Sequence, residues 1–353
     1  MPLKSIRKLL ISLCALALPV LLAGCAAGAE PQVENRGKSY FTYFDTVSYV
    51  YSYAGDSAEQ FEDRSAEVSR ILEEYHKLFD IYHEYSGINN LCTVNRLAGG
   101  EGVKVDEKLI DFLLYARELY EKTEGEMDIM LGSVLSLWHD RREEAGEDPA
   151  AARLPTEEEL EAAAGHIDFS LLEIDEAAGI VRISDRDASI DVGALGKGYA
   201  AERAAEYLEA EGAYGYVLNV GGNIRIIGTK PNGDGWVTGI RDPEDDTQFA
   251  MSLRLEDTAC VTSGSYERYY TVDGVQYHHI IDKDTLYPAE YFASLTIITK
   301  DSALADALST ALFCMPYEDG LRLAEQIGGV EALWIFPGGE IKYTPGLEER
   351  IIN

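Results

Sequence analysis

Basic residues are scarce in this sequence of 353 residues. Lys and Arg number 30 against 62 Asp and Glu, so the formal net charge is −32 at pH 7. A field of this sign repels phosphate backbones, and we expect no nucleic-acid partner. An anionic ligand would have to be held by local groups, such as backbone N–H groups, a few lysines or a metal ion. Apolar residues make up 46% of the chain, enough to bury a core.

Cysteine is also scarce, with five residues in the chain. The sequence has no CxxC motif and no Cys/His cluster, which argues against a zinc site. Cys14 and Cys25 lie in the N-terminal segment described in the next paragraph. The other three cysteines are Cys92, Cys260 and Cys314. Their odd number and long spacings predict unpaired, mostly buried thiols.

The apolar run Leu9–Leu22 is too short for an ordinary membrane-spanning helix, which needs about 20 residues. It follows the basic residues Lys4, Arg7 and Lys8 and ends in small residues directly before Cys25. A basic start, a short apolar stretch and small residues before a cysteine are typical of a bacterial lipoprotein signal. The alternative is an ordinary cleaved signal peptide followed by an incidental cysteine.

This interpretation divides the chain into three parts. Residues 1–24 are the predicted signal peptide, residues 25–38 are a tether with a lipid on Cys25, and residues 39–353 are the predicted functional domain. We therefore expect the protein on the extracytoplasmic face of the cell membrane. The lipid would hold it there, because an acidic domain is repelled by anionic lipids.

The rest of the sequence mixes helical and strand patterns without strict alternation. Apolar residues at helical spacing predict helices, mainly over Ala58–Phe79, Asp106–Thr123, Tyr199–Gly212, Ala303–Cys314 and Tyr317–Ile327. The polar stretch Arg141–Pro155 predicts an exposed loop, and Thr156 with Glu159 predicts a capping box that opens a short helix. No Pro/Ser-rich linker or repeat divides the chain, so we expect a single compact α+β unit of antiparallel-rich sheets and packed helices.

A glycine-rich turn with one lysine is the first segment with chemical content. In Ser189–Ala201 a strand pattern leads through Gly193, Gly196, Lys197 and Gly198 into a helix. Glycines let a backbone approach a ligand closely, and a helix N-terminus presents free N–H groups to an anion. The segment alone is equally consistent with a phosphate site and with a tight structural turn.

Two further clusters combine polar groups at short spacing. His278 and His279 stand beside Asp282, as expected of general acid/base residues or metal ligands, although most histidines are neither. Asp306 and Thr310 are four residues apart on an otherwise apolar helix and therefore share one face. A hard divalent cation such as Mg²⁺ would suit their oxygens, and an Asp bonded within the core is the alternative.

Together these segments resemble the ApbE-type family, the FAD:protein FMN transferases, over about Tyr40 to Pro337. The matching segments occur in family order: Tyr43–Thr46, Asp80–Asn89, Thr123–Asp128 with Leu137-Trp138, Asp191–Tyr199, Asn219–Asn223, Ser263-Gly264, His279–Asp282 and Asp306 with Thr310. The resemblance implies the T-fold-like ApbE architecture for residues 39–353.

The resemblance also implies roles for individual residues. The family's metal site implies Mg²⁺ bound by the Ala194 carbonyl, the Asp306 carboxylate and the Thr310 hydroxyl. The family's FAD site implies contacts from Phe44, Tyr82, Glu126, Met127, Asp128, Asp191, Lys197 and Ile280. His279 resembles the family's catalytic histidine, with Asp306 and Lys197 also implied in catalysis.

This sequence departs from the family pattern at three places near these positions. Phe44-Asp45 stands where many members have Met-Gly, so stacking on a ring would replace a thioether contact. Gly196 precedes the lysine where alanine is common. Lys283 and Leu286 replace the usual Pro and Gly after Asp282, which leaves the geometry of the following loop, to Pro288, open.

The activity implied by the resemblance is transfer of the FMN moiety of FAD to a Thr or Ser hydroxyl of an acceptor protein, with release of AMP. The acceptor would be an extracytoplasmic protein with a short flavinylation motif, such as a redox-chain subunit. His279 would take the hydroxyl proton, with Asp282 as its orienting group. Two alternatives stay open: hydrolysis of FAD to FMN and AMP at the same site, and a non-catalytic flavin-binding surface lipoprotein.

Overall fold

The computed structural model describes residues 35–352, and the predicted signal peptide, Cys25 and most of the tether lie outside this part. Its α-helices are α1 (Ala58–Phe79), α2 (Leu91–Arg96), α3 (Glu107–Lys122), α4 (Gly132–Glu147), α5 (Glu157–Ala164), α6 (Gly196–Ala210), α7 (Ser302–Ala311) and α8 (Tyr317–Ile327). Short 3-10 helices cover Ile129–Leu131, Pro149–Ala151, Phe169–Leu171, Leu312–Cys314 and Pro345–Arg350. In the described range, no helix combines the length and the apolar character needed to cross a bilayer.

The strands of the described residues run in four sheets. They are β1 (Arg36–Tyr43), β2 (Thr46–Ser52), β3 (Val103–Lys104), β4 (Leu172–Asp175), β5 (Ile180–Ile183), β6 (Tyr216–Val220), β7 (Asn223–Ile227), β8 (Trp236–Arg241), β9 (Phe249–Leu255), β10 (Ala259–Gly264), β11 (Tyr269–Val272), β12 (Val275–His278), β13 (Ser294–Thr299), β14 (Glu331–Ile335), β15 (Ile341–Tyr343) and β16 (Ile351–Ile352).

The largest sheet has eight strands in the order β1-β2-β6-β7-β10-β13-β14-β15. Every neighbouring pair in it is antiparallel. All six residues of β13 are buried, as expected of a strand whose two faces are both covered. The smaller sheets are β3-β5-β4, β16-β9-β8 and the hairpin β11-β12.

Helices α1, α3 and α6 form the main core beside this sheet. The apolar side of α1 is buried, as its helical spacing predicts. Aromatic rings join the three helices: Phe79 of α1 lies 4.0 Å from Phe112 of α3, and Phe112 lies 5.1 Å from Tyr199 of α6, between ring centroids. Such pairs add directional contacts to the buried area.

Helices α6 and α7 touch at a glycine. A Cβ at Gly198 would lie 2.4 Å from the Cβ of Asp306 and 2.4 Å from the carbonyl oxygen of Ser302. The Gly198 N–H instead donates to Asp306 Oδ2 at 2.7 Å. The helices therefore approach this closely because residue 198 has no side chain.

A buried arginine joins the same two helices to the sheet. Arg225 of β7 is 1% exposed, and its guanidinium donates to Glu202 at 3.1 Å and to Glu209 at 2.8 Å, both on α6. Glu202 Oε2 also accepts the N–H of Ser302, the first residue of α7, at 2.7 Å. Because buried charges are costly unless they are fully bonded, this network fixes the positions of β7, α6 and α7 together.

The structure confirms the α+β class and the capping box at Thr156 and Glu159, and it corrects one segment. Residues 141–147, predicted as loop, continue α4, where Arg141 bonds to Glu159 at 2.8 Å. The polar residues of this segment form the exposed face of the helix, which is why its composition resembled that of a loop. The three remaining cysteines are free, and Cys260 is the buried one.

The contact at Gly198 predicts the effect of a single methyl group. Gly198→Ala should lower the free energy of unfolding by about 1–3 kcal/mol, because the helices must separate to admit the new Cβ. Chemical denaturation checks this. Gly146→Ala is the matched control, because no atom beyond its chain neighbours and its own helix backbone lies within 4 Å of its Cβ position in α4. That substitution should stabilise the protein by up to about 1 kcal/mol, and equal effects of the two would contradict the prediction.

Candidate active site

A cavity of about 1050 Å³ opens between the β1–β2 turn, the first turn of α6, helix α7 and the end of the β11-β12 hairpin. Apart from Asp282, the site residues predicted from the sequence within residues 35–352 line it: Phe44, Tyr82, Glu126, Met127, Asp128, Asp191, Ala194, Lys197, His279, Ile280, Asp306 and Thr310. Residues more than 250 positions apart in the sequence thus meet in one place.

The glycine-lysine turn is ordered by its own hydrogen bonds. The Asp191 carboxylate accepts the N–H of Gly193 at 2.8 Å, and Lys197 Nζ donates to the Gly193 carbonyl at 3.0 Å. The same Nζ lies 3.9 Å from Asp306 Oδ1. The N-cap residue of α6, Leu195, makes no capping bond, and the Asp306 carboxylate instead accepts the N–H of Gly198 in the first turn of the helix. Lys197 is consequently held at the cavity wall with its charge beside the carboxylate.

Asp306 is the buried carboxylate of the site, with 4% exposure. Burial raises its pKa, and Lys197, the Gly198 N–H and the side chain of Asn223 oppose that rise. Thr310, one helical turn further on, lines the same cavity as Asp306 and Ala194. A carboxylate, a hydroxyl and a carbonyl all offer oxygen atoms as metal ligands, the kind of ligand that Mg²⁺ prefers. A buried carboxylate with its nearest ammonium at 3.9 Å therefore fits a hard cation.

A different group of side chains could also hold a cation. His166, Asp185 and Asp187 place three ligand atoms within 4.8 Å of one another, and they do not line the cavity. His166 Nδ1 lies 2.6 Å from Asp185 Oδ2, so an ordinary His–Asp pair already accounts for the contact. We assign no function to this group.

The two adjacent histidines have different environments. His279 Nδ1 lies 3.2 Å from the carbonyl oxygen of Arg268, a group that can only accept, so Nδ1 has the proton and Nε2 is free to accept one. His278 uses both nitrogens internally, to the Ala289 carbonyl at 2.9 Å and from the Ile280 N–H at 3.2 Å. His279 is therefore the histidine available for chemistry.

Asp282 does not orient His279. Its carboxylate accepts the N–H groups of Asp284 at 2.8 Å and Thr285 at 3.4 Å, and so stabilises the following turn. The orienting group is the backbone carbonyl of Arg268. Sequence adjacency suggested Asp282, whereas the antiparallel β11-β12 hairpin brings residue 268 next to residue 279.

The other wall of the cavity is acidic. Burial raises the pKa of Asp128 to about 6, although the hydrogen bond from the Met130 N–H and the charge of Lys283 both act to lower it. Burial also raises the pKa of Glu126, whose carboxylate lies 3.4 Å from Lys283 Nζ. The N–H of Met127, buried between these acids, donates to Thr123 Oγ1 at 2.9 Å.

Aromatic rings lie at the cavity mouth. Phe44 and Asp45 have φ of 55° and 50°, a left-handed pair that turns β1 into β2. The Phe44 ring lies edge-on to His76 at 5.6 Å, and Tyr82 stacks on His139 at 4.9 Å. Flat apolar faces at this position suit a planar ring system.

Some cavity residues were missed by the sequence reasoning. They are His139 and Arg142 of α4, Arg268 before β11, and Asn223 at the start of β7. Arg142 Nη2 lies 2.9 Å from His139 Nδ1, so the pair acts as a unit. Its i, i+3 spacing directly after Leu137-Trp138 was the available signal, whereas Arg268 has no such local pattern.

Comparisons with known proteins agree with this geometry. A family model described as the ApbE family matches residues 44–334. The chain belongs to the ApbE family. The FAD:protein FMN transferase of Treponema pallidum is 33% identical over 307 residues, covering 81% of this chain and 83% of that protein.

Solved structures of the family share the fold. The ApbE protein of Thermotoga maritima has a TM-score of 0.79 at 30% identity and covers 91% of this chain and 100% of its own. The flavin transferase ApbE of Vibrio cholerae has a TM-score of 0.74 at 26% identity and covers 90% of this chain and 99% of its own. The ApbE-type α+β architecture expected from the sequence is therefore confirmed.

The departures from the ApbE pattern now have a structural account. Lys283, in place of the usual proline, pairs with Glu126 across the cavity wall. Leu286, in place of the usual glycine, has a φ of 63°, which is strained for a residue with a Cβ. Its carbonyl accepts the indole N–H of Trp138 at 2.9 Å, and its N–H donates to the Asp282 carbonyl at 2.8 Å. These bonds hold the loop in the strained form.

The site geometry predicts a histidine that stays neutral in acid. Burial, followed by the charges of Arg268 and Lys197, lowers the pKa of His279 to about 3. Proton NMR from about pH 8 to about pH 5 should therefore show no titration of the signal that His279→Ala removes. Because the unfolded chain binds this proton near pH 6.5, the associated stability is present above that pH and is lost as the pH falls toward 3. A midpoint for His279 near 6.5 would contradict the prediction.

Proposed function

We propose that this ApbE-family protein transfers the FMN moiety of FAD to a Thr or Ser hydroxyl of an acceptor protein, in a reaction that depends on Mg²⁺ and releases AMP. One juxtaposition supports this most directly. A histidine with a free Nε2 shares a cavity with Lys197 and with the oxygen donors of Asp306, Thr310 and Ala194. These are the groups that hydroxyl attack on a pyrophosphate requires: a base, positive charge and ligands for a metal.

The transfer exchanges one phosphorus–oxygen bond for another. The acceptor hydroxyl oxygen bonds to the FMN-side phosphorus of FAD, and the bond from that phosphorus to the bridging oxygen breaks. AMP leaves with the bridging oxygen, and the hydroxyl proton passes to His279 Nε2. Mg²⁺, when bound, would neutralise charge on the pyrophosphate oxygens, with Asp306, Thr310 and the Ala194 carbonyl as its protein ligands.

The other contributions come from residues of this chain that hold the reacting groups in place. The Arg268 carbonyl keeps His279 in the tautomer whose Nε2 accepts a proton. Lys197, fixed by the Gly193 carbonyl, presents its ammonium to the pyrophosphate. The mouth aromatics Phe44 and Tyr82 would contact the flavin ring, with Glu126, Met127, Asp128, Asp191 and Ile280 completing the FAD site. Positioning and electrostatics should supply most of the rate.

Intact mass spectrometry of an acceptor tests the transfer. The chain without residues 1–25, mixed with FAD, Mg²⁺ and a candidate acceptor domain, should raise the acceptor mass by FMN minus water. Asp306→Ala should reduce the rate at least about a hundredfold, because the metal loses its carboxylate and Lys197 its partner. His166→Ala is the control, since that histidine lies outside the cavity.

Other outcomes of this assay separate the alternatives. Release of AMP with unchanged acceptor mass would indicate hydrolysis of FAD, with water in place of the hydroxyl. Intact FAD that binds without turnover would indicate a flavin-binding lipoprotein. Full activity of Asp306→Ala at saturating Mg²⁺ would remove Asp306 from the metal site.

The location of the protein belongs to the same proposal. A lipid on Cys25 and a tether that ends where β1 begins, at Arg36, would hold the domain at the extracytoplasmic face of the membrane, where a redox-chain subunit could serve as acceptor. The basic, apolar and small residues before Cys25 support this.

Fractionation of cells that express the full chain tests the anchor. The wild type should sediment with membranes, whereas Cys25→Ser should lose lipid labelling and leave the membrane fraction. Cys92→Ser is the matched control, because Cys92 is a free thiol of the folded domain. Membrane retention of Cys25→Ser without lipid would contradict the anchor.

A further inference from the structure

Asn223 is a cavity residue whose position in the fold is fixed. It is the first residue of β7, next to the Gly221-Gly222 turn, where φ is 57° and 94°. The register pairs it with Val220 on one side and Val261 on the other, inside the eight-stranded sheet. Its side chain is 1% exposed and lines the cavity. A side chain in a central strand cannot move away from its surroundings.

The amide of Asn223 has a defined orientation. Nδ2 donates to the carbonyl oxygen of Val220 at 3.3 Å. A carbonyl can only accept, so the N–H₂ group faces Val220 and Oδ1 faces the other way. The side chain also lies near enough to the Asp306 carboxylate to oppose the rise in that carboxylate's pKa.

The amide oxygen of Asn223 is buried and has no hydrogen-bond partner. A buried acceptor without a donor costs free energy that an apolar residue of similar size would avoid. The nearby cation of the site does not serve it, because Lys197 Nζ lies at the Gly193 carbonyl and at Asp306. Asn223 Oδ1 therefore gains a partner only when a hydrogen-bond donor or a cation enters the cavity.

We propose that Asn223 is a positioning residue of the metal site, whose Oδ1 accepts a hydrogen bond from a metal-bound water. The inference rests on the proposed function, since it concerns the Mg²⁺ of that site. Mg²⁺ usually keeps several of its waters, which are strong donors. Outer groups of this kind typically contribute about ten- to hundredfold to metal affinity.

The proposal predicts opposite effects on stability and on metal binding. Asn223→Leu removes the unpartnered oxygen, so the metal-free protein should unfold at an unchanged or higher temperature. Its affinity for the metal should fall about ten- to hundredfold, because the metal-bound water loses its acceptor. A purely structural asparagine would give the reverse pattern, with lower stability and unchanged affinity.

Metal binding is measured with Mn²⁺ as the probe, by the loss of its free electron paramagnetic resonance signal in the presence of saturating FAD. Thermal unfolding of the metal-free variants gives the second readout. Ser294→Ala is the matched control: Ser294 is fully buried in β13, its hydroxyl has no partner, and it does not line the cavity. That variant should bind Mn²⁺ like the wild type.

Two results would overturn the inference, and they are distinguishable. Wild-type Mn²⁺ affinity in Asn223→Leu would exclude the role of Asn223 and leave the metal site standing. A wild-type protein that binds no Mn²⁺ with FAD would overturn the metal site of the proposed function and this inference with it. Lowered affinity in Asn223→Leu with a retained or raised unfolding temperature supports the proposal.

Discussion

The contact between Gly198 and Asp306 is the constraint on which the rest of the site depends. It is at once a steric fit, since a Cβ at residue 198 would lie 2.4 Å from the Asp306 Cβ, and a hydrogen bond of 2.7 Å. Because Lys197 precedes that glycine, the same contact places the ammonium 3.9 Å from the carboxylate. One turn along both helices, Glu202, which pairs with the buried Arg225, accepts the Ser302 N–H and supports the same close approach.

This arrangement answers the question that the composition raises. A chain with a net charge of −32 is a poor general binder of anions, and its cavity has acidic walls as well. The site overcomes this with a few fixed charges: Lys197, Lys283, Arg142 and Arg268 all line the cavity. Low dielectric and fixed geometry make such local charges more effective than the distant surface carboxylates, which salt screens.

The sequence predicted the α+β class because it follows from local patterns, whereas the clustering of the site residues was implied by the resemblance to the ApbE-type family. Helical periodicity, the glycine-lysine turn and the Asp306–Thr310 spacing are readable within a few residues. Contacts made by long-range pairing were not readable. The Arg268 carbonyl reaches His279 through a hairpin, and the sheet brings Asn223 to the cavity. Residues 141–147 were misjudged because polarity describes exposure and not backbone conformation.

The adjacent residues His278 and His279 have different hydrogen-bond partners and therefore different roles. Successive residues at the end of a strand point in different directions, so His278 and His279 cannot share an environment. His278 uses both ring nitrogens in hydrogen bonds to the Ala289 carbonyl and from the Ile280 N–H, which stabilise the loop. His279 uses only Nδ1, so its Nε2 has no partner within the part of the protein that the structure describes. The loop that His278 stabilises contains Ile280, itself a cavity residue. The structural histidine therefore shapes the site in which its neighbour can act.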